Sequence, residues 1–331
     1  RDLVRSRGLG DVYKRQVIQK MPLVVCRYFK GRIIMYLKRI STSENISLID
    51  GSVPYLKINK FNKYTEITAV FSTRLGGVST GQFTSMNFCT TLGDTKENVL
   101  ANFEIFGREC KLKNFVLSKQ THTTNVLTVT KEDINKGLTK PMDYDNIDGL
   151  ITNIPNITLS TFYADCVPLY FYDPVHRVIG LSHAGWRGTV NNIAKATIDK
   201  MQAEFNSKPE DIVCAIGPSI CVNCYEVSKD VADEFIKAFN IKTIGFYEAA
   251  ENKALLPVDT KNILYKKSES DKYMLNLWAA NYQNMLNSKI KPENISLPDV
   301  CTCENKENLF SHRGLKGKRG NLGAFMMINH D

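Results

Sequence analysis

Histidine is scarce in this chain, with five among 331 residues. Long apolar runs are missing: no window of about 18 uninterrupted apolar residues exists, which excludes an ordinary membrane-spanning helix. No secretory signal is legible, because no apolar run sits between a basic start and a small-residue cleavage site. There is no P-loop and no G-x-G-x-x-G turn; Gly217-Pro218-Ser219 lacks the glycine spacing of either. What remains is 43% apolar residues, enough for the sizeable core of a soluble globular protein. A cytoplasmic location is the expectation. The nine cysteines, an odd and scattered number, then read as buried thiols or as metal and catalytic ligands rather than disulfides.

The net charge of +9 invites a nucleic-acid reading until its position is considered. Residues 1–34 carry nine cations against two anions, so seven of the nine net charges sit there. The remainder is close to neutral and offers no electrostatic footprint for nucleic acid. The first segment starts at Arg1 without a methionine, and Arg1 to Gln16 resembles translated adapter sequence. Residues 1–34 are therefore expected to be a non-native or disordered leader, with a start at Met21 or Met35 and a single domain over 35–331.

Along that domain, Glu66 to Phe71 alternates as a strand and runs into the glycine turn after Arg74. Asp94 or Thr95 can cap a helix to about Glu109, with Val99, Phe103 and Phe106 on its apolar face. Strands are expected at 157–163, 167–172, 178–182 and 211–216. From Gly188 to Phe205 apolar residues recur at helical spacing, predicting one long helix reached through a five-residue loop. Ser228 caps a helix to about Phe239, and Asn276 to Leu286 forms another. Asn240 to Tyr273 reads as a polar surface excursion, and Ala324 to Ile328 as a closing strand. Elements of both kinds alternate without repeats, which predicts an α/β or α+β fold with mixed sheets flanked by helices.

Candidate chemistry collects at element edges. His122 lies in a polar run between two strands, Cys166 at a break between two others, and His183 at a strand end. Two imidazoles and a thiolate form a set that suits zinc with an open fourth position, although satisfied polar histidines and a buried thiol are the plainer reading. His176 and His330 read as surface residues. Arg187 stands beside a predicted helix N-terminus, where free N–H groups and a planar cation could hold an oxyanion such as phosphate. Arg74 and Arg313 could add further clamps; each alone reads as a surface cation. Cys221-Val222-Asn223-Cys224 and Cys301-Thr302-Cys303 have metal or redox spacing but no partner motif of the usual kind, so they read as structural thiols.

Thr73-Arg74-Leu75-Gly76-Gly77-Val78-Ser79, Gln120-Thr121-His122, Asp148-Gly149-Leu150, Ala164-Asp165-Cys166-Val167-Pro168, His183-Ala184-Gly185-Trp186-Arg187-Gly188, Ile216-Gly217-Pro218, Cys224-Tyr225-Glu226-Val227 and Phe310-Ser311-His312-Arg313 follow one another in the chain. In that order they resemble the laccase-domain proteins, once called multicopper polyphenol oxidases and now regarded as purine nucleoside phosphorylases. The likeness runs from Glu66 to Ile328, with His312 where most relatives carry another residue. It implies a laccase-domain-type catalytic domain, a metal site of His122, Cys166 and His183 holding zinc (copper being possible), and phosphorolysis of adenosine, inosine, guanosine and methylthioadenosine. Adenosine deamination would be a side activity, in a monomer or homodimer. The usual deaminase H-x-E signature is absent, so Asp165 stands as the acid–base candidate beside Cys166 and His183. A four-copper oxidase is disfavoured, since five histidines cannot supply its ligands. A cysteine hydrolase acting through Cys166 on peptidoglycan precursors is the enzyme alternative, and a metal-binding module without turnover the non-enzyme one.

Overall fold

The computed structural model describes residues 28–29, 32–33, 35–41, 43–89, 91–247, 262–267 and 270–330. The chain divides into two units, Arg1–Tyr36 and Leu37–Asp331. In the first, β1 (Tyr28–Phe29) pairs antiparallel with β2 (Arg32–Ile33). The rest of the expected 1–34 leader lies outside the described residues.

The second unit is a domain of mixed sheets flanked by helices, as expected. One six-stranded sheet has the order β3 (Ile46–Ile49), β4 (Tyr55–Ile58), β5 (Ile67–Ser72), β18 (Leu322–Ile328), β9 (Thr158–Tyr163) and β6 (Phe115–Leu117). The other runs β17 (Ile295–Ser296), β12 (Val213–Ile216), β10 (Val167–Asp173), β11 (Val178–Ala184), β8 (Gly149–Thr152) and β7 (Val126–Thr128). Each is mainly antiparallel. The parallel pairs are β6 with β9, β7 with β8 and β12 with β17.

Alternation along the strands decides what each face meets. Leu169 and Phe171 of β10 join Ile151 in a core with Ile193, Ala194, Ile198 and Met201 of helix α3 (Ile193–Phe205). Tyr170, on the opposite face, crosses to the first sheet and donates its hydroxyl hydrogen bond to the Val70 carbonyl at 3.0 Å. Tyr163 of β9 reaches the other way, to the carbonyl of Ser182 at 3.2 Å. Both hydroxyls are thus satisfied between the sheets, so the rings add buried area without an orphaned polar group.

On the outside of the first sheet lies α1 (Lys96–Cys110), N-capped by Thr95, whose side chain accepts from the Asn98 N–H. Such a cap stabilises a helix by about 1 kcal/mol. Phe103 and Phe106 of α1 meet Phe88 and Phe325 edge-on or tilted at 5.0 to 6.1 Å between ring centres. Helix α5 (Leu277–Asn287) packs with α3 over the second sheet.

Two expectations need correction. The single helix from Gly188 is two: α2 (Trp186–Val190) and α3, separated where Asn192 takes a left-handed φ of 61° and caps α3 by accepting from the Lys195 N–H. Helical periodicity continues across this break because both pieces bury the same side, so spacing alone could not reveal it. Nor is there a five-residue loop; β11 extends to Ala184 and only Gly185 intervenes before α2. The polar stretch after Asn240 also contains strands. Where described, β14 (Gly245–Tyr247), β15 (Leu264–Lys267) and β16 (Tyr273–Leu275) form a small sheet with β13 (Glu226–Val227). Helix α4 (Lys229–Ala238) follows β13. No helix among the described residues is long and apolar enough to cross a membrane.

Candidate active site

Register brings the site together. In the antiparallel pairing of β10 with β11, Pro168 lies opposite His183. Ser182 lies opposite Gly149 where β11 pairs β8. The start of β10, the end of β11 and the start of β8 therefore share one edge of the second sheet. Cys166 precedes β10 in the crossing from one sheet to the other, and Asp148 immediately precedes β8.

The loop bearing His122 is tied to the same edge from two sides. The Gln120 side chain accepts from the Phe162 N–H at 2.7 Å and donates to the Phe162 carbonyl at 2.8 Å, holding the loop to the end of β9. The Asp148 carboxylate accepts from the backbone N–H groups of Thr121, His122 and Thr123 at 3.1, 3.0 and 2.8 Å. These bonds hold His122 at a left-handed φ of 67°, a conformation that a non-glycine residue keeps only when its surroundings fix it.

The ligand atoms of His122, Cys166 and His183 all lie within 4.8 Å of one another. The His122 Nε2 is 3.9 Å from the Cys166 Sγ, and the two imidazole centres are 4.9 Å apart. His183 is buried, Cys166 half-buried and His122 exposed, so the group is open on the His122 side. Asp148 Oδ1 is 2.9 Å from the His183 Nδ1, which leaves Nε2 for the site. This is the carboxylate–histidine arrangement that orients metal ligands. Gly185 completes the fit: a Cβ there would stand 2.5 Å from the His122 Cδ2 and 3.3 Å from the Cys166 Sγ.

The charges reinforce one another. Burial pushes the Cys166 thiol up, but the His183 charge and hydrogen bonds from both imidazoles outweigh it and bring the thiol down to about 6. Burial would lower His183; Cys166 and Asp148 reverse that and raise the ring to about 9. Asp148, also opposed by burial, is held at about 2 by His183 and by the Thr123 and Thr121 amides. Without a metal, neutral pH thus favours a thiolate facing an imidazolium. Two nitrogens and a thiolate around an open face are a donor set that fits a zinc-type ion.

Of the other expected residues, Asp165 adjoins this group in sequence, and the rest make contacts of their own. Asp165, at a left-handed φ of 93°, directs its buried carboxylate to the Thr302 hydroxyl at 2.7 Å and the Arg313 N–H at 2.6 Å. Burial raises its carboxyl against those bonds. It ties the Cys166 turn to the segment 302–313. Arg313 lies over the Tyr225 ring at 5.4 Å and donates to the Glu226 carbonyl. Arg187 is exposed over Trp186 at 4.2 Å, and the helix it opens has five residues, a shorter dipole than the long helix expected from the spacing. Tyr225 is within electrostatic reach of Cys166, Arg313, Asp165 and Arg187. Arg74 commits Nε to the Thr84 carbonyl and a terminal nitrogen to that of Lys306, with Phe310 beneath it at 4.6 Å. His176 and His330 are exposed.

The roles of two residues escape sequence reasoning. Asp148 appears in the sequence only as part of the motif Asp148-Gly149-Leu150, with no spacing that marks it as a partner of His183; at the next position a Cβ on Gly149 would meet the Ser182 Oγ at 2.7 Å. Arg319 feels the charges of Cys89, Asp165 and Cys166, and its Nε is buried without a hydrogen-bond partner. Two surface hollows elsewhere, one beside Tyr282 and Leu297 and one beside Leu138 and Met142, share no residue with this site.

Known proteins carry the same arrangement of chain. The family model described as multi-copper polyphenol oxidoreductase laccase matches residues 68–329. The purine nucleoside phosphorylase YlmD of Bacillus subtilis is 33% identical over 278 residues, 82% of this chain and 91% of that protein. A purine nucleoside phosphorylase of Bacteroides thetaiotaomicron is 32% identical, covering 83% of this chain and 96% of its own. The crystal structure of the hypothetical protein YfiH of Bacillus licheniformis matches with a TM-score of 0.75 at 30% identity, over 87% of this chain and 100% of the other. That of YlmD from Geobacillus stearothermophilus matches with a TM-score of 0.73 at 27% identity, over 86% and 99%. Sequence and fold agree over most of the length, and the chain belongs to the multi-copper polyphenol oxidoreductase laccase family.

Proposed function

We propose that this chain is a purine nucleoside phosphorylase that cleaves adenosine, inosine, guanosine and methylthioadenosine with phosphate, and deaminates adenosine as a side reaction. The observation that carries the reading is the convergence of His122, Cys166 and His183 within 4.8 Å, in a chain whose relatives bear that name.

In phosphorolysis the C1′–N9 bond of the nucleoside breaks, a phosphate oxygen bonds C1′, and the departing purine takes up a proton. The positive charge that grows on the sugar calls for an anion fixed below it. Arg313 lies over the Tyr225 ring and Arg187 acts electrostatically on the same ring, and Arg74 keeps the nitrogen its loop bonds leave over; we assign these three to phosphate. His122, Cys166 and His183 would hold the metal, zinc being favoured and copper also compatible with the donors. When bound, such an ion supplies Lewis acidity and an acidic water, the chemistry that deamination at purine C6 requires. Asp148 fixes the His183 tautomer. Asp165, given its bonds to Thr302 and Arg313, would act by positioning Cys166.

A second reading has its own support. A thiol near 6 facing a ring near 9 is also the resting state of a cysteine hydrolase, with Cys166 as nucleophile and His183 as base. Incubation with inosine separates the two. Hypoxanthine and ribose-1-phosphate formed only with phosphate support the phosphorylase; no base release in either condition, with peptide cleavage surviving removal of metal, would establish the hydrolase instead.

A further inference from the structure

Outside this site, a second set of ligand-type side chains converges. Cys221 and Cys224, from the turn after β12, meet Cys301, from the segment before Phe310, with all three sulfurs within 4.8 Å of one another. Cys303 reaches the same group through its contact with Cys224. The sequence separates the two pairs by 76 residues between Cys224 and Cys301, which is why neither C-x-x-C nor C-x-C discloses a partner motif. All four are free thiols.

We propose that Cys221, Cys224, Cys301 and Cys303 form a second, structural metal site that binds one zinc ion as a closed set of thiolates. A tetrahedral four-sulfur site with Zn–S of about 2.3 Å has sulfur–sulfur edges of about 3.8 Å; Cys221, Cys224 and Cys301 already stand at compatible spacing, and Cys303, next to Cys224, would swing in as the fourth ligand. The ligands sit on two short turns, as in zinc knuckles, and here the turns are locked together before any ion arrives. Ser219 pairs with Cys301 as a parallel bridge, and the Thr302 N–H donates to the Ser219 carbonyl at 3.1 Å. The Trp278 indole donates to the Ser219 hydroxyl at 2.7 Å.

One backbone bond already favours a thiolate at Cys301. The backbone N–H of Cys221 donates to the Cys301 Sγ at 3.3 Å, the kind of bond that supports a charged sulfur ligand. Lys38 lies within electrostatic reach of Cys221 and Cys224 but is ion-paired with Glu304 at 2.7 Å, so the two together add no net charge to the cluster. Cys221 and Cys301 are fully buried, which closes the site to substrate. On binding, each thiol releases its proton and no electron moves.

The position gives the ion a purpose. One arm of the cluster continues into Tyr225 and Glu226, whose carbonyl receives Arg313. The other contains Thr302, which donates to Asp165 beside Cys166. A zinc ion here would clamp the two loops that brace the back of the His–Cys–His group, whatever reaction that group performs.

The test is metal stoichiometry in the full chain. Wild type should retain zinc at both sites, and the double variant His122→Ala/His183→Ala should keep one equivalent. Loading that variant with cobalt(II) alone should give the near-ultraviolet thiolate-to-cobalt absorption and the visible bands of a tetrahedral site, weakened by Cys303→Ser. In wild type, chelation should convert these four cysteines together from protected to alkylated, read by peptide mass spectrometry. A double variant that folds, binds no metal and shows alkylation indifferent to chelator would overturn the proposal. So would an intact mass that reveals a disulfide among the four.

Discussion

The two ligand clusters of this protein are linked through the Thr302–Asp165 hydrogen bond yet are built on opposite plans. The His122–Cys166–His183 group mixes nitrogen and sulfur, stands at the edge of a sheet, and exposes one imidazole to solvent. The group of Cys221, Cys224, Cys301 and Cys303 uses sulfur alone, sits between two turns, and buries half its members completely. The difference follows the usual division of zinc chemistry: an open position where something must react, a closed shell where something must only be held. It also separates the means of support. The open group is oriented by a dedicated carboxylate, Asp148, whereas the closed group relies on backbone pairing between its own turns.

Each variant below tests whether the open group behaves as a reaction centre independently of the closed one. Cys166→Ser should cost the most, lowering kcat/KM for inosine phosphorolysis about a thousandfold, as expected when several kcal/mol of charge stabilisation at the transition state is lost; metal analysis should show loss from this site only. Gly185→Ala drives a methyl group into the His122 ring and should reduce turnover about a hundredfold, the effect of misplacing a reactive group by about an ångström. A crystal structure of that variant would show the imidazole displaced. Asp148→Asn should weaken metal affinity at the open group roughly ten- to hundredfold, measured by competition with a chromophoric chelator, while the cysteine cluster keeps its ion.

Arg313→Ala should raise the KM for phosphate about tenfold, with a smaller change in kcat, because one charge-assisted hydrogen bond is worth about 1.5 kcal/mol or somewhat more. The smallest effect concerns acid stability. The Asp148 carboxyl is depressed in the folded state, so its contribution is present above its ordinary value of 3.8 and is lost as pH falls through about 2. Thermal melts of metal-free protein should therefore show a steeper acid decline for wild type than for Asp148→Asn over that interval.

Much of this architecture was legible in the chain. The helix capped by Thr95 and the strands flanking Cys166 follow from periodicity and capping, since those elements bury a regular face. His122, Cys166 and His183 could be nominated because they lie at strand ends, yet their meeting depends on strand register, which no local pattern records. Asp148 was named only as part of the Asp148-Gly149-Leu150 motif, and its role stayed hidden for the same reason: it joins a loop and a strand that are distant in sequence. The split between Val190 and Ile193 was hidden because both helical pieces face the same core. The strands after Asn240 were missed because they are short and polar at their edges, so alternation is too brief to register.

One consequence of the topology concerns synthesis. Strand β18 occupies the middle of its sheet, between β5 and β9, although it is translated after both. Until Leu322–Ile328 leaves the ribosome, the growing polypeptide holds two strands with facing, unsatisfied backbones and an empty slot between them, an arrangement prone to capture by other nascent chains. Emergence of Leu322–Ile328, rather than of any earlier segment, is then the moment at which this sheet can close, and arrested chains ending before Leu322 should remain protease-sensitive in this sheet.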